Sequence, residues 1–107
     1  MGYPDDADGD ALRRVAAHSN MSLPMGIDFA VDVPTEEAGH AVEQAASQRG
    51  YSTSVERDDA SMRWTCYCVK RMVATYEAVV AAQQELGELS APFGGRSDGW
   101  GTTGNGQ

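Results

Sequence analysis

Four apolar residues, Ile27, Phe29, Val31 and Val33, alternate with Asp28, Ala30 and Asp32. Successive side chains of a strand point to opposite faces, so the run predicts a β-strand with one face buried and the other open. Pro34 ends it, since proline offers no N–H to a ladder. Thr35 then caps a helix whose first turn holds Glu36 and Glu37, favourable against the positive helix start. Ala38, Ala41, Val42, Ala45 and Ala46 recur at helical spacing, and Gly50 closes the segment. Small alanines on that face let the helix sit close on a sheet.

The same change of period recurs downstream. Tyr51, Thr53 and Val55 predict a short second strand, and residues 57–61, with the Asp58-Asp59 pair, its turn. Residues 64–72 carry bulk on both faces, as a central strand does. Thr75 caps a last helix with Glu77 in its first turn and a stripe of Val79, Ala82, Leu86, Leu89 and Phe93, ended by Pro92 and Gly94-Gly95. The Trp100 segment is a final edge strand. Upstream, residues 10–18 predict a short helix capped by Asp8 or Asp10, with Leu12, Val15 and Ala16 on one face. Right-handed crossovers leave few ways to fold this order. The favoured one is an α+β, ferredoxin-like β-α-β-β-α-β sandwich. It has one four-stranded antiparallel sheet, first and third strands central, both helices on one face, and a short N-terminal helix in front. Residues 1–9 are expected as a flexible acidic lead, 10–103 as a single domain and 104–107 as a flexible tail.

At 107 residues the chain is long enough for one core without metal or disulfide support. Its 8 basic and 16 acidic residues give a formal charge of −8. That charge repels phosphate backbones, so direct nucleic-acid binding is not expected. It suits plain solubility or a basic protein partner. The start of the chain has no apolar signal core, and no run approaches a membrane span. Cys66 and Cys68 lie two apart on one strand face, a poor disulfide geometry. Both are read as reduced, which points to a cytoplasmic protein.

The exit of the chain is Phe93-Gly94-Gly95-Arg96-Ser97-Asp98-Gly99-Trp100-Gly101-Thr102. Glycines around one Asp and one Trp suggest a backbone with positive φ or close approach, anchored by the aromatic. With the helix ending before Ile27-Asp28 and the Gly50-Tyr51 opening of the second strand, this stretch resembles a bacterial family. That family is regulator of ribonuclease activity B, inhibitors of ribonuclease E. The resemblance runs from about Asp10 to Thr102, and Ser97 stands where the family's signature has tyrosine. It implies a ferredoxin-like domain with a non-enzymatic role: binding an endoribonuclease and altering which transcripts it cuts. An immunity-type inhibitor of another basic effector is a related possibility.

Five residues are candidates for partner binding. Asp28 and Asp32 share the face opposite the core, where carboxylates meet arginines of a partner. Glu56, Asp58 and Asp59 extend that acidic set; its ordinary alternative is a solvated face. Tyr67 has the parity opposite to Trp64, Cys66 and Cys68 and joins the open face as an aromatic anchor. Asp98 and Trp100 are read as partner contacts, against the structural alternative of an Asx-type turn at Asp98 and Trp100 plugging the core beside Phe93.

No catalytic residues, metal site or cofactor are expected. Only His18 and His40 could join the two cysteines around zinc, and they sit on separate helices. The Asp6, Asp8, Asp10 run puts Ala11 where a calcium loop needs glycine and Ala17 where it needs a bidentate Glu. Other functional readings are an RNA-binding, RRM-like module using Arg63, Trp64, Tyr67, Val69 and Lys70, or a dimer with a ligand-binding or stress-related role. The RRM pattern lacks its paired aromatics, and Asp28 and Asp32 oppose phosphates.

Overall fold

A computed structural model describes residues 3–105. The elements run α1 (Ala7–Ala16), β1 (Pro24–Val33), α2 (Glu36–Ser47), β2 (Ser52–Asp58), β3 (Arg63–Val73), α3 (Tyr76–Ser90), a 3-10 turn (Ala91–Phe93) and β4 (Arg96–Gly101). The strands form one antiparallel sheet in the order β2-β3-β1-β4. This is the ferredoxin-like order with an extra helix in front, and the two bulkiest strands are central, as their composition predicts. Among the described residues no helix is long and apolar enough to cross a membrane.

One face of the sheet is dry. Met25, Ile27, Phe29, Val31 and Val33 of β1 and Cys66 and Cys68 of β3 pack with Leu12 and Val15 of α1, Val42 and Ala46 of α2, and Val79, Ala82 and Leu86 of α3. Phe29 meets Tyr51 edge-on, with ring centroids 6.2 Å apart. Gly39 lets α2 close on the sheet: a Cβ there would lie 2.9 Å from Val55 Cγ1. A glycine inside a helix costs about 1 kcal/mol relative to alanine, and this close approach is what it permits.

The caps of α2 and α3 are as the sequence predicts: Thr35 Oγ1 accepts from Ala38 N and Thr75 Oγ1 from Ala78 N, both at 3.1 Å. The first helix differs. It spans Ala7–Ala16 rather than residues 10–18, and its cap is Asp6, whose Oδ1 accepts from Gly9 N at 2.8 Å. Asp6 has the extended backbone a cap needs, whereas Asp8 and Asp10 are inside the helix, where Asp10 pairs with Arg13. The last helix ends at Ser90, and the turn containing Pro92 swings Phe93 out, leaving it 40% exposed. Phe93 is therefore not part of the buried stripe. Gly95 then donates to Ser90 O at 3.0 Å, and a Cβ on Gly95 would come within 2.8 Å of Ser90 Cβ.

Hydrogen bonds to the rest of the domain reach past residue 103. Thr102 Oγ1 donates to Gly26 O at 2.6 Å, and the Asn105 amide donates to the carbonyls of Asn20, Leu23 and Pro24. Residues 1–2 of the predicted lead and 106–107 of the predicted tail lie outside the described residues.

Candidate functional site

The helices leave the other face of the sheet bare, and the register sets what stands on it. Val31 pairs with Cys66 on the covered side, so the alternating positions Asp28, Ala30 and Asp32 share the bare side with Thr65, Tyr67 and Val69. Across β2 and β3 the same side continues through Ser54 opposite Tyr67, Glu56 opposite Thr65 and Asp58 opposite Arg63. Tyr67 lies directly across from Ala30, between the levels of Asp28 and Asp32. These three predicted residues are thus brought together on one surface. A shallow cleft of about 240 Å³, lined by Glu56, Arg57, Asp58, Thr65 and Tyr67, opens beside them.

The two aspartates stand in different surroundings. Asp28 is exposed, and no ion pair holds it among the described residues. Asp32 is only 8% exposed. Arg63 Nε donates to both of its carboxylate oxygens, at 3.0 and 2.9 Å, and Arg63 Nη2 lies 2.9 Å from Oδ2. Arg96 Nε adds a contact at 3.4 Å from β4. Hydrogen bonding from Arg63 holds the Asp32 carboxyl below its ordinary range, opposed by burial and helped by the two guanidinium charges. Asp32 faces the predicted side, but both of its carboxylate oxygens already accept from Arg63 within the chain.

The expected acidic sheet face needs a corresponding correction. Asp28, Asp32, Glu56 and Asp58 share it with Arg63 and Arg96, and Arg71 is exposed on the same strand parity. Asp58 also turns into its own hairpin, accepting from Ala60 N and Ser61 Oγ. The face is of mixed charge. Much of the surplus acid lies on the helical layer instead, at Glu36, Glu37, Glu43, Glu77, Glu85 and Glu88.

A bulge explains the glycine-rich exit. Phe29 pairs with Trp100 and Val31 with Ser97, so Asp98 and Gly99 together oppose the single residue Ala30. Gly99 has φ 92°, a conformation open to glycine and strained for other residues. The extra residue reverses the alternation, and Trp100 turns to the covered side instead of joining Arg96 on the bare one. There the half-buried indole packs against the core, and its Nε1 donates to Asp8 Oδ1 at 2.9 Å. Gln83 Nε2 donates to the same oxygen at 3.2 Å. Trp100 therefore does not meet Asp28, Asp32 and Tyr67. Asp98 is exposed at the bulge, and no Asx-type hydrogen bond from its own backbone is present among the described residues.

The remaining polar candidates have structural surroundings. Cys66 and Cys68 are free and buried, with sulfurs 3.8 Å apart. Hydrogen bonding to Cys68, with burial, pushes the Cys66 thiol up and keeps it protonated. His40 is exposed on α2 between Glu43 and Glu36, whose hydrogen bonds raise its pKa. Among the described residues no group of three or more His, Cys, Asp and Glu side chains is arranged to hold a metal ion.

Sequence reasoning missed the Asp32–Arg63–Arg96 cluster and the Trp100–Asp8 bond. The first was recoverable once the strand order was assigned, because Arg96 then falls opposite Asp32 and Arg63 on its diagonal. The second depends on the bulge, for which Gly99 before Trp100 was the signal.

The fold and this surface define a small α+β domain with one side of its sheet uncovered by helices. A family model described as regulator of ribonuclease activity B matches residues 5–102, and the chain belongs to that family. Its role is accordingly regulatory, directed at ribonuclease activity, and implies a protein partner. No curated protein matches the chain significantly.

Proposed function

We propose that this chain binds an endoribonuclease of the ribonuclease E type and modulates its cutting, docking through the bare sheet face around Tyr67. The observation that carries this reading is the bare face itself, since a sheet side lined by Ala30, Tyr67 and Val69 and rimmed by charge is the surface of this domain that the helices leave uncovered. Tyr67 supplies a rigid aromatic anchor, and Asp28 and Glu56 are carboxylates free to receive basic side chains. Asp98 stands at the rim of the same sheet, at its β4 edge. Asp32 and Trp100 act as positioning residues, one ordering two arginines and the other fixing β4 against α1.

Calorimetry of the protein against ribonuclease E fragments, at low ionic strength, tests the reading. Association is expected, weakening with salt, and Tyr67→Ala is expected to weaken it by tenfold or more, about 1.4 kcal/mol. Failure of every fragment to bind at low salt overturns it.

A further inference from the structure

Two guanidinium groups share one carboxylate at the corner of the bare face where β3, β1 and β4 meet. Arg63 uses Nε and Nη2 on Asp32, and Arg96 uses Nε. The outer N–H groups of both arginines have no acceptor among the described residues. Asp58, opposite Arg63 in register, turns its carboxylate toward Ala60 N and Ser61 Oγ and forms no ion pair with Arg63 among the described residues. Within the cluster two guanidiniums thus face one carboxylate, and that buried carboxylate orders the Arg63 plane through its short contacts with Nε and Nη2. Ordering of this kind lowers the entropy that binding costs. Arg96 is 76% exposed, so its donors are open to an incoming group.

We propose that Arg63 and Arg96 form a receptor for a carboxylate of the protein partner, with Asp32 as its positioning residue. A second carboxylate matches two guanidiniums with two acids in bidentate geometry. The occupant is an acidic side chain of a protein rather than an RNA phosphate. A net charge of −8 repels a polyanion, and Asp28 stands on the same strand face roughly 13 Å away, at about 3.3 Å of rise per residue. A protein segment places one carboxylate at this corner and a cation at Asp28; a nucleic-acid strand repeats its negative charge at both. The proposal deepens the reading above and rests on it for the identity of the partner.

The test has two arms. In the first, arginine Nε–Hε resonances are followed at low ionic strength while an end-blocked Glu-Gly-Ser-Gly-Lys peptide, and separately hexauridylate, are added to the full chain. The peptide carries one carboxylate and one cation at the spacing of the corner and Asp28. Saturable shifts at Arg63 and Arg96 with the peptide, lost in Arg96→Ala, are expected. Absence of a saturable shift overturns the receptor, as does a stronger response to the oligonucleotide, which marks a phosphate site. In the second arm, Arg96→Glu is expected to weaken association with the ribonuclease fragment by about tenfold or more. Unchanged affinity overturns the receptor and leaves the docking partner standing. Peptide shifts at both arginines together with no ribonuclease binding by the wild type support the receptor and overturn the choice of partner alone.

Discussion

The two faces of the sheet are built from the same strands on opposite terms. On the covered side Met25, Ile27, Phe29, Val31 and Val33 are fully buried, and each contributes by leaving water. On the bare side Asp28, Ala30 and Asp32 occupy the intervening positions of β1, and what each does is decided by neighbours on other strands. Asp32 shows the difference: it is shielded about as well as Val15 at the margin of the core, yet its shield consists of arginines from β3 and β4. The contrast separates residues that hold the fold from residues free to serve a partner, and substitutions on the two sides should divide the same way.

The largest effect is expected from Phe29→Ala, which empties the centre of the covered side and removes the ring packed edge-on to Tyr51. A loss of about 3–5 kcal/mol in urea unfolding is expected. That is a large share of the roughly 5–15 kcal/mol typical of a domain. A loss below about 1 kcal/mol would erase the contrast.

Next is Trp100→Phe, which keeps an aromatic ring and deletes the donor to Asp8. A loss of about 1.5–3 kcal/mol is expected, the range for a hydrogen bond to a charged group. In a double-mutant cycle with Asp8→Ala, which removes the acceptor, the losses should fall short of adding. Strict additivity would place the indole's contribution in packing alone.

Asp32→Asn comes third and probes the bare side by pH. The folded pKa of Asp32 lies below its ordinary value of 3.8, so its pairing stabilises the protein above that value. The contribution is lost as pH falls through the ordinary value toward the folded one. Denaturant midpoints measured from pH 6 down to about pH 2 should fall less steeply in Asp32→Asn than in the wild type. Parallel slopes would remove the arginine shield from the energetics of the fold.

The smallest effect on folding belongs to Tyr67→Ala, within about 0.5–1 kcal/mol. It pairs that near-neutrality with the loss of ribonuclease association expected above. A core-sized destabilisation would show that Tyr67 belongs with the structural residues.

The covered face was legible because burial imposes a period, and a period can be read one residue at a time. Ile27, Phe29, Val31 and Val33 recur at every second position, and Thr35 and Thr75 stand where caps belong. The strand order followed because the bulk of residues 64–72 required a central place. Less local features escaped. Asp6, Asp8 and Asp10 all suit a helix cap by chemistry, and only the extended backbone of Asp6 decides among them. Phe93 fits the helical stripe by spacing, but the tighter turn at Pro92 breaks the phase. Pairing of Asp32 joins residues from three strands, so no single segment carries its signal. Trp100 was readable as an anchor, but its side of the sheet was not, since one inserted residue at Gly99 inverts every position after it.

The bond between Trp100 and Asp8 also constrains how the molecule comes into being. It spans 92 residues, joining the first helix of the domain to its last strand. Until β4 has been made, α1 has no indole to meet, so the closing clasp of the domain is a late, non-local contact. Shortening the chain from either end before that clasp should leave a loose helix at one terminus and a missing sheet edge at the other.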